Sequence, residues 1–257
     1  MDRKSLKRPF TLEGSPDWEC PTCKKGTLKI DPKKFHQGEL SRSRGHGHEA
    51  WSPDWIEYVY SALLTCTNSA CKEVVATSGI GSVDQEYSYD ENGEIEHNYY
   101  DYFRPKYFEP PLQIMKWPED TPPSVSILLE ESFRHFFSAP NSALNQIRIA
   151  MEQLLTELGV KRFSTIQGKR RELSLHARIG LLPPKYASSK EILLAVKWLG
   201  NAGSHVAGEN AEATTDDVID AYEFLDHVLQ ELYKTKKVEA LKKKAKQVNK
   251  KKGLVKK

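Results

Sequence analysis

Two sets of residues in this 257-residue chain have types and spacings that can do chemistry. The first is four cysteines in two close pairs, Cys20 and Cys23 in CPTC, and Cys66 and Cys71 in CTNSAC. Two short turns, each beside a strand-like run, can carry two thiolates apiece to one tetrahedral point, which suits Zn2+. All four positions are filled by sulfur, leaving none for water, so the expected role is structural. Gly26, just after the first pair, fits a tight return that aims backbone amides at sulfur. A redox C-x-x-C wants a βαβ context, which is absent here. His46 and His48 in GHGH offer imidazoles, but four cysteines already suffice as ligands.

The second set lies in KWLGNAGSHV, where Lys197, Asn201 and His205 are spaced four apart. On a helix they form one polar stripe. Histidine can exchange a proton near neutral pH, and a neighbouring cation can stabilise a phosphoryl transition state. The three are therefore candidate catalytic residues. Gly200 and Gly203 interrupt the same stretch, at about 1 kcal/mol each relative to Ala in a helix interior. Packing explains them more simply. His205 can end the helix with Asn201 bonded to backbone, or the glycines can admit a partner helix closely, across a dimer included. Arg148 and Glu152 read as an i, i+4 ion pair. His135 and His176 are assigned no role.

Strand-like segments surround the cysteines. TLKI follows the first pair, IEYVYSALLT precedes the second, and KEVVATSG follows it, all rich in β-branched and aromatic residues. Asn92-Gly93 marks a hairpin turn. The polar stretch from His36 to Trp51 has neither period and is expected to be a mobile loop. Prolines at 105, 110, 111, 118, 122 and 123 exclude a continuous helix or central strand there. From Ser124 the apolar period becomes 3.6. Five helices are expected: one through Phe137, one from Asn141 to a stop at Gly159, one at Leu173–Leu182, one opened by a Ser188–Glu191 capping box, and one opened by Thr214 and Asp217. The last period continues through Val238, Leu241 and Ala245.

The expected fold is α+β: a small β-rich zinc-ribbon module followed by a bundle of about five helices. The segments are a leader (1–15), a ribbon with hairpin (16–104), a proline-rich connector (105–123), a helical domain (124–233) and a lysine-rich tail (234–257).

The net charge of +3 hides an asymmetry. From Lys234 onward there are twelve lysines and one acid, so the tail carries about +11 and the remainder about −8. A polyanion-binding surface is thus expected at the C-terminus, with a solvated helix end as the alternative. The hairpin acids, Asp84, Glu86, Asp90 and Glu94 among them, argue against phosphate binding there. No apolar run can cross a bilayer and the N-terminus lacks a signal-peptide h-region, so a cytoplasmic location and no membrane partner are expected. Phosphate-loop, nucleophile-elbow and dinucleotide fingerprints are absent.

The ordered segments PPSVSILLEESFRHFFSAPNSALNQIRIAMEQLLTELGV, LSLHARIGLL, EILLAVKWLGNAGSHV and DDVIDAYEFLDHVLQELY resemble domain-of-unknown-function family 4145 over about residues 105–233. Members with an N-terminal zinc ribbon resemble the upstream region more loosely. The resemblance implies a HEPN-like helical bundle of the kind found in prokaryotic defence and toxin–antitoxin systems, many of them dimers. Some such bundles are metal-independent endoribonucleases that use an Arg, a polar residue and a His separated from the Arg by four to six residues. Here the corresponding positions, Trp198, Leu199 and Gly200, hold no cation, and Lys197 lies one residue outside. Lysine lacks the planar fork of arginine. The expectation is therefore a non-catalytic accessory or recognition protein, a homodimer, binding RNA, DNA or a protein partner. The alternatives are an endoribonuclease using Lys197, Asn201 and His205, and a structural dimerisation scaffold.

Overall fold

The computed structural model describes residues 3–90, 92–204 and 212–251. The chain divides into two compact units, one of residues 1–113 with 133–138, the other of residues 114–132 with 139–257.

The first unit is built on a four-stranded antiparallel sheet in the order β1 (Leu28–Glu39), β2 (Glu57–Cys66), β3 (Val74–Tyr89), β4 (Ile95–Glu109). Its two-residue period is plain in β2, where Tyr60, Ala62, Leu64 and Cys66 are buried and Val59, Ser61 and Leu63 are exposed. An aromatic cluster forms the core. Phe103 meets Phe35 and Tyr60 edge-on and Phe10 at a tilt, with ring separations of 4.7, 5.4 and 5.6 Å. Trp18 meets Phe10 at 5.4 Å and Phe108 at 5.2 Å. Asn92-Gly93 does close the β3–β4 hairpin, with Gly93 at φ +82° and the Asp90 carboxylate accepting from the Asn92 and Glu94 amides.

One local reading is corrected. His36–Glu39, expected in a loop, belong to β1 and pair with Tyr58–Ser61 of β2. The stretch that follows is also hydrogen-bonded: Ser43 is buried and donates to Leu40 O, and His46 Nε2 lies 2.8 Å from Glu39 Oε1. Side-chain bonds replace the missing apolar period, so periodicity could not reveal them. Pro105, expected to exclude a central strand, sits within β4, which is at the edge of the sheet. It pairs with Gly79 where β4 bulges past Ser78, and a bulge tolerates the missing N–H. A Cβ on Gly79 would lie 2.2 Å from Arg104 O, so the glycine is required there. In the N-terminal segment, a short helix α1 (Arg3–Lys7) precedes Phe10, which is buried and exchanges both backbone bonds with Phe103.

Among the described residues the second unit contains five α-helices, α2 (Pro123–His135, its last turn counted with the first unit), α3 (Pro140–Glu157), α4 (Leu175–Gly180), α5 (Lys190–Ser204) and α6 (Thr215–Lys251). A two-stranded ribbon, β5 (Phe163–Ile166) and β6 (Lys169–Glu172), stands between α3 and α4 and was not anticipated. α3 buries Leu144, Ile147, Met151, Leu154 and Leu155. It ends in a Schellman turn: Gly159 has φ +79°, its N–H reaches Thr156 O, and Val160 N–H reaches Leu155 O. α5 packs against α3 and α6.

The predicted capping box of α6 forms in full. Asp217 N–H donates to Thr214 Oγ1, and the Asp217 carboxylate accepts from Thr214 N at 2.7 Å. The one predicted for α5 does not. Ser188 and Ser189 hydroxyls donate instead to Glu231 of α6, at 2.7 and 2.9 Å. α6 buries Val218, Tyr222, Leu225, Leu229, Leu232 and Tyr233. Its backbone continues as one helix to Lys251. No helix among the described residues is long and apolar enough to cross a membrane.

Candidate functional site

The cysteine turns are built alike. In the first, Cys20 N–H bonds Gly26 O and Lys24 N–H bonds Cys20 O, with Lys24 at φ +55°. In the second, Cys66 N–H bonds Glu73 O and Lys72 N–H bonds Asn68 O, with Lys72 at φ +51°. A left-handed residue directly after the second cysteine of each pair curls the backbone round its sulfurs.

The antiparallel β1–β2 pairing joins Leu28 to Cys66 and so brings the turns together. All four Sγ atoms lie within 4.8 Å of one another. Cys20 and Cys71 sulfurs are 3.9 Å apart, and those of Cys23 and Cys66 are 3.6 Å apart. A tetrahedron with metal–sulfur bonds of about 2.3 Å has edges of about 3.8 Å, whereas a disulfide needs about 2.05 Å. The sulfurs therefore sit at metal-ligand spacing.

Amides complete the cradle. Lys25 and Gly26 N–H groups donate to Cys23 and bring its thiol down to about 6. Desolvation pushes Cys66 up to about 12, despite the Asn68 N–H that points at it from 3.4 Å. Four thiolates so close repel one another, and a bound cation is what lets them ionise together. Gly26 proves essential for a reason its position in the sequence did not show. A Cβ there would lie 2.6 Å from Cys66 Sγ and 2.8 Å from Asn68 N. The first turn can cover the second only because residue 26 has no side chain.

The polar stripe of the second unit is assembled only in part. Lys197 and Asn201 both lie on α5, half-buried, and His205 lies outside the described residues. The Lys197 ammonium sits 3.3 Å from the centroid of the exposed Trp198 ring. Gly200 is buried at the crossing with α3, where an added Cβ would lie 2.9 Å from Arg148 Cβ and 3.4 Å from Leu144 O. The Arg148 side chain of the neighbouring helix thus packs its aliphatic stem against the α5 stretch. It is not idle: Arg148 Nη2 lies 3.4 Å from Glu152 Oε1, the i, i+4 pair read from the sequence.

One buried charge escaped sequence reading. Arg178 is buried in α4, its Nη2 donating to Thr156 Oγ1 at 2.8 Å and to Val160 O at 3.5 Å. Burial lowers its pKa, and Glu152 opposes that shift. The available signal was its place on the apolar stripe of Leu175, Ile179 and Leu182. Arg148, Glu152, Thr156 and Arg178 form a polar seam along α3. It can hold helices in register; both guanidinium groups meet protein acceptors through Nη2, while Nε of each is buried without a partner.

The architecture defines an α+β protein: an antiparallel sheet carrying a four-cysteine cluster of metal-site geometry, and a separate helical unit. Residues 8–108, which include all four cysteines, match the family described as Domain of unknown function (DUF8608). Residues 130–251 match the family described as Domain of unknown function (DUF4145), extending past Tyr233 into the lysine-rich helix. No curated protein and no solved structure matches the chain.

Proposed function

We propose that this is a non-catalytic nucleic-acid-binding protein, an accessory or recognition component of a prokaryotic defence or nucleic-acid-handling system. In this reading Zn2+ occupies the four-cysteine cluster and is structural. Sulfur spacings close to tetrahedral edges, with no fifth donor needed, support that role. The helical unit is read as HEPN-like and dimeric, on the resemblance of its ordered segments to that group.

The observation that carries the binding reading is the course of α6. Past Tyr233 the same helix continues to Lys251, and Lys242, Lys243, Lys244, Lys246 and Lys250 are all exposed. A lysine-rich rod beyond the core buries little apolar surface, and phosphate contacts are what its charge fits. Among the described residues, the two cations nearest this stretch are engaged, Lys197 on Trp198 and Arg148 on Glu152, which disfavours catalysis.

The test is binding of full-length protein to RNA and DNA across a salt series, beside K242Q/K243Q/K244Q. The wild type binds with a steep salt dependence, and the variant flattens the slope. No binding even at low salt would favour the scaffold reading. Cleavage of RNA by EDTA-treated wild type, lost in H205A, would favour the endoribonuclease.

A further inference from the structure

The β5–β6 ribbon has a charge and shape that packing does not explain. Between Lys161 and Glu172 stand five cations, Lys161, Arg162, Lys169, Arg170 and Arg171, against one acid, Glu172. That acid is engaged at the base, 3.3 Å from Arg162 Nη2. Outside the lysine-rich tail the chain is net acidic, so this concentration is a local exception. Thr165 and all residues from Gln167 to Glu172 are exposed. Among the described residues, neither Lys169 nor Arg171 has an acidic partner.

The backbone is a narrow two-stranded ribbon. Ile166 pairs with Lys169 across a two-residue turn, in which Gln167 and Gly168 have φ of +52° and +73°. Two positive φ values define the tight type I′ hairpin. Side chains alternate along β6, which puts Lys169 and Arg171 on one face and Arg170 on the other. Arg170 is held on its face by Phe163, its guanidinium carbon 3.8 Å from the ring centroid. Stacking occupies the flat side of a guanidinium and leaves its N–H edge able to donate.

Resting on the nucleic-acid reading above, we propose that this ribbon is a duplex-DNA contact that enters the major groove. Cations on both faces suit a groove, which has phosphates along both walls. A membrane or a flat acidic protein surface would meet one face and leave the other charged in solution. A two-stranded β-ribbon fits the roughly 12 Å major groove of B-DNA. The deep, narrow major groove of A-form RNA does not admit side chains in this way.

The experiment compares full-length wild type, K169Q/R170Q/R171Q and K242Q/K243Q/K244Q, binding a DNA duplex and the same sequence as an RNA duplex, between 50 and 200 mM salt. The ribbon positions are exposed, so circular dichroism should report unchanged folding. Loss of three phosphate contacts reduces the slope of log affinity against log salt by about 2.7, or about 40-fold over that range. That result on DNA, with weaker binding to RNA, is expected. If only the α6 variant loses affinity, the ribbon inference is overturned and the α6 reading stands. If only the ribbon variant loses affinity, the reverse holds. Equal ribbon-dependent binding of duplex RNA, or ribbon-dependent binding to phosphatidylserine vesicles without DNA binding, also overturns it. Absence of all binding overturns both.

Discussion

Gly200 and Arg148 touch across the α3–α5 crossing, with room for no atom between them: a Cβ on residue 200 would lie 2.9 Å from Arg148 Cβ. The glycine that breaks the helical pattern of KWLGNAGSHV is therefore a packing position within one helical unit. Its cost to α5 is offset by close approach of the two helices. This relationship explains Gly200.

Gly200→Ala is expected to destabilise the helical unit. Helix propensity favours alanine by about 1 kcal/mol. Overpacking against a Cβ and a carbonyl, neither the far end of a flexible side chain, costs about 1–3 kcal/mol. The net effect is a lower Tm in thermal unfolding followed by helical circular dichroism. A higher Tm would mean that α3 and α5 are less closely packed than described.

The four-cysteine cluster, read as a zinc site, predicts a stoichiometry and a sensitive neighbour. Elemental analysis should find one zinc per chain, lost in C20S or C66S. Gly26→Ala keeps every ligand yet should weaken retention against a chelator, since its Cβ would lie 2.6 Å from Cys66 Sγ. Metal-free protein with four freely reactive thiols would sink the zinc assignment.

Phe10→Ala should cost the sheet unit about 3–5 kcal/mol, as for other large buried aromatics. Phe10 is 1% exposed and packs against the rings of Trp18, Tyr60 and Phe103. Denaturant unfolding followed by tryptophan fluorescence would measure it. A change below about 1 kcal/mol would show the N-terminal segment to be dispensable.

Glu231 links the start of α5 to α6 and gives the helical unit an acid-sensitive contact. The Ser188 and Ser189 hydroxyls hold its pKa below the usual 4.5. A carboxylate with a depressed folded pKa contributes stability above its unfolded value and loses it as pH falls through the folded one. Tm of the wild type should therefore fall more steeply below about pH 4.5 than that of Glu231→Gln, with the two curves converging in strong acid. Parallel curves down to pH 3 would show the serine bonds to be absent in solution.

The sequence by itself determined the parts whose signals are local. The pairs Cys20/Cys23 and Cys66/Cys71, the Asn92-Gly93 turn, the Gly159 stop and the Thr214–Asp217 cap each depend on a few neighbouring residues, and all are found as local structure. The 3.6-residue period likewise marked the change from strands to helices. What only the tertiary structure decided were relationships between residues distant in the chain. Gly26 is needed because of Cys66, Gly200 because of Arg148, and Ser188 turns from its own helix to Glu231. Pro105 is admitted to a strand because its neighbour bulges, and Phe10 is drawn into a core by Phe103. The β5–β6 ribbon escaped notice because its strands are short, polar and bury little, so no apolar alternation marked them. Contact between residues 40 or more positions apart is set by how elements pack, and a linear pattern records only what one element needs.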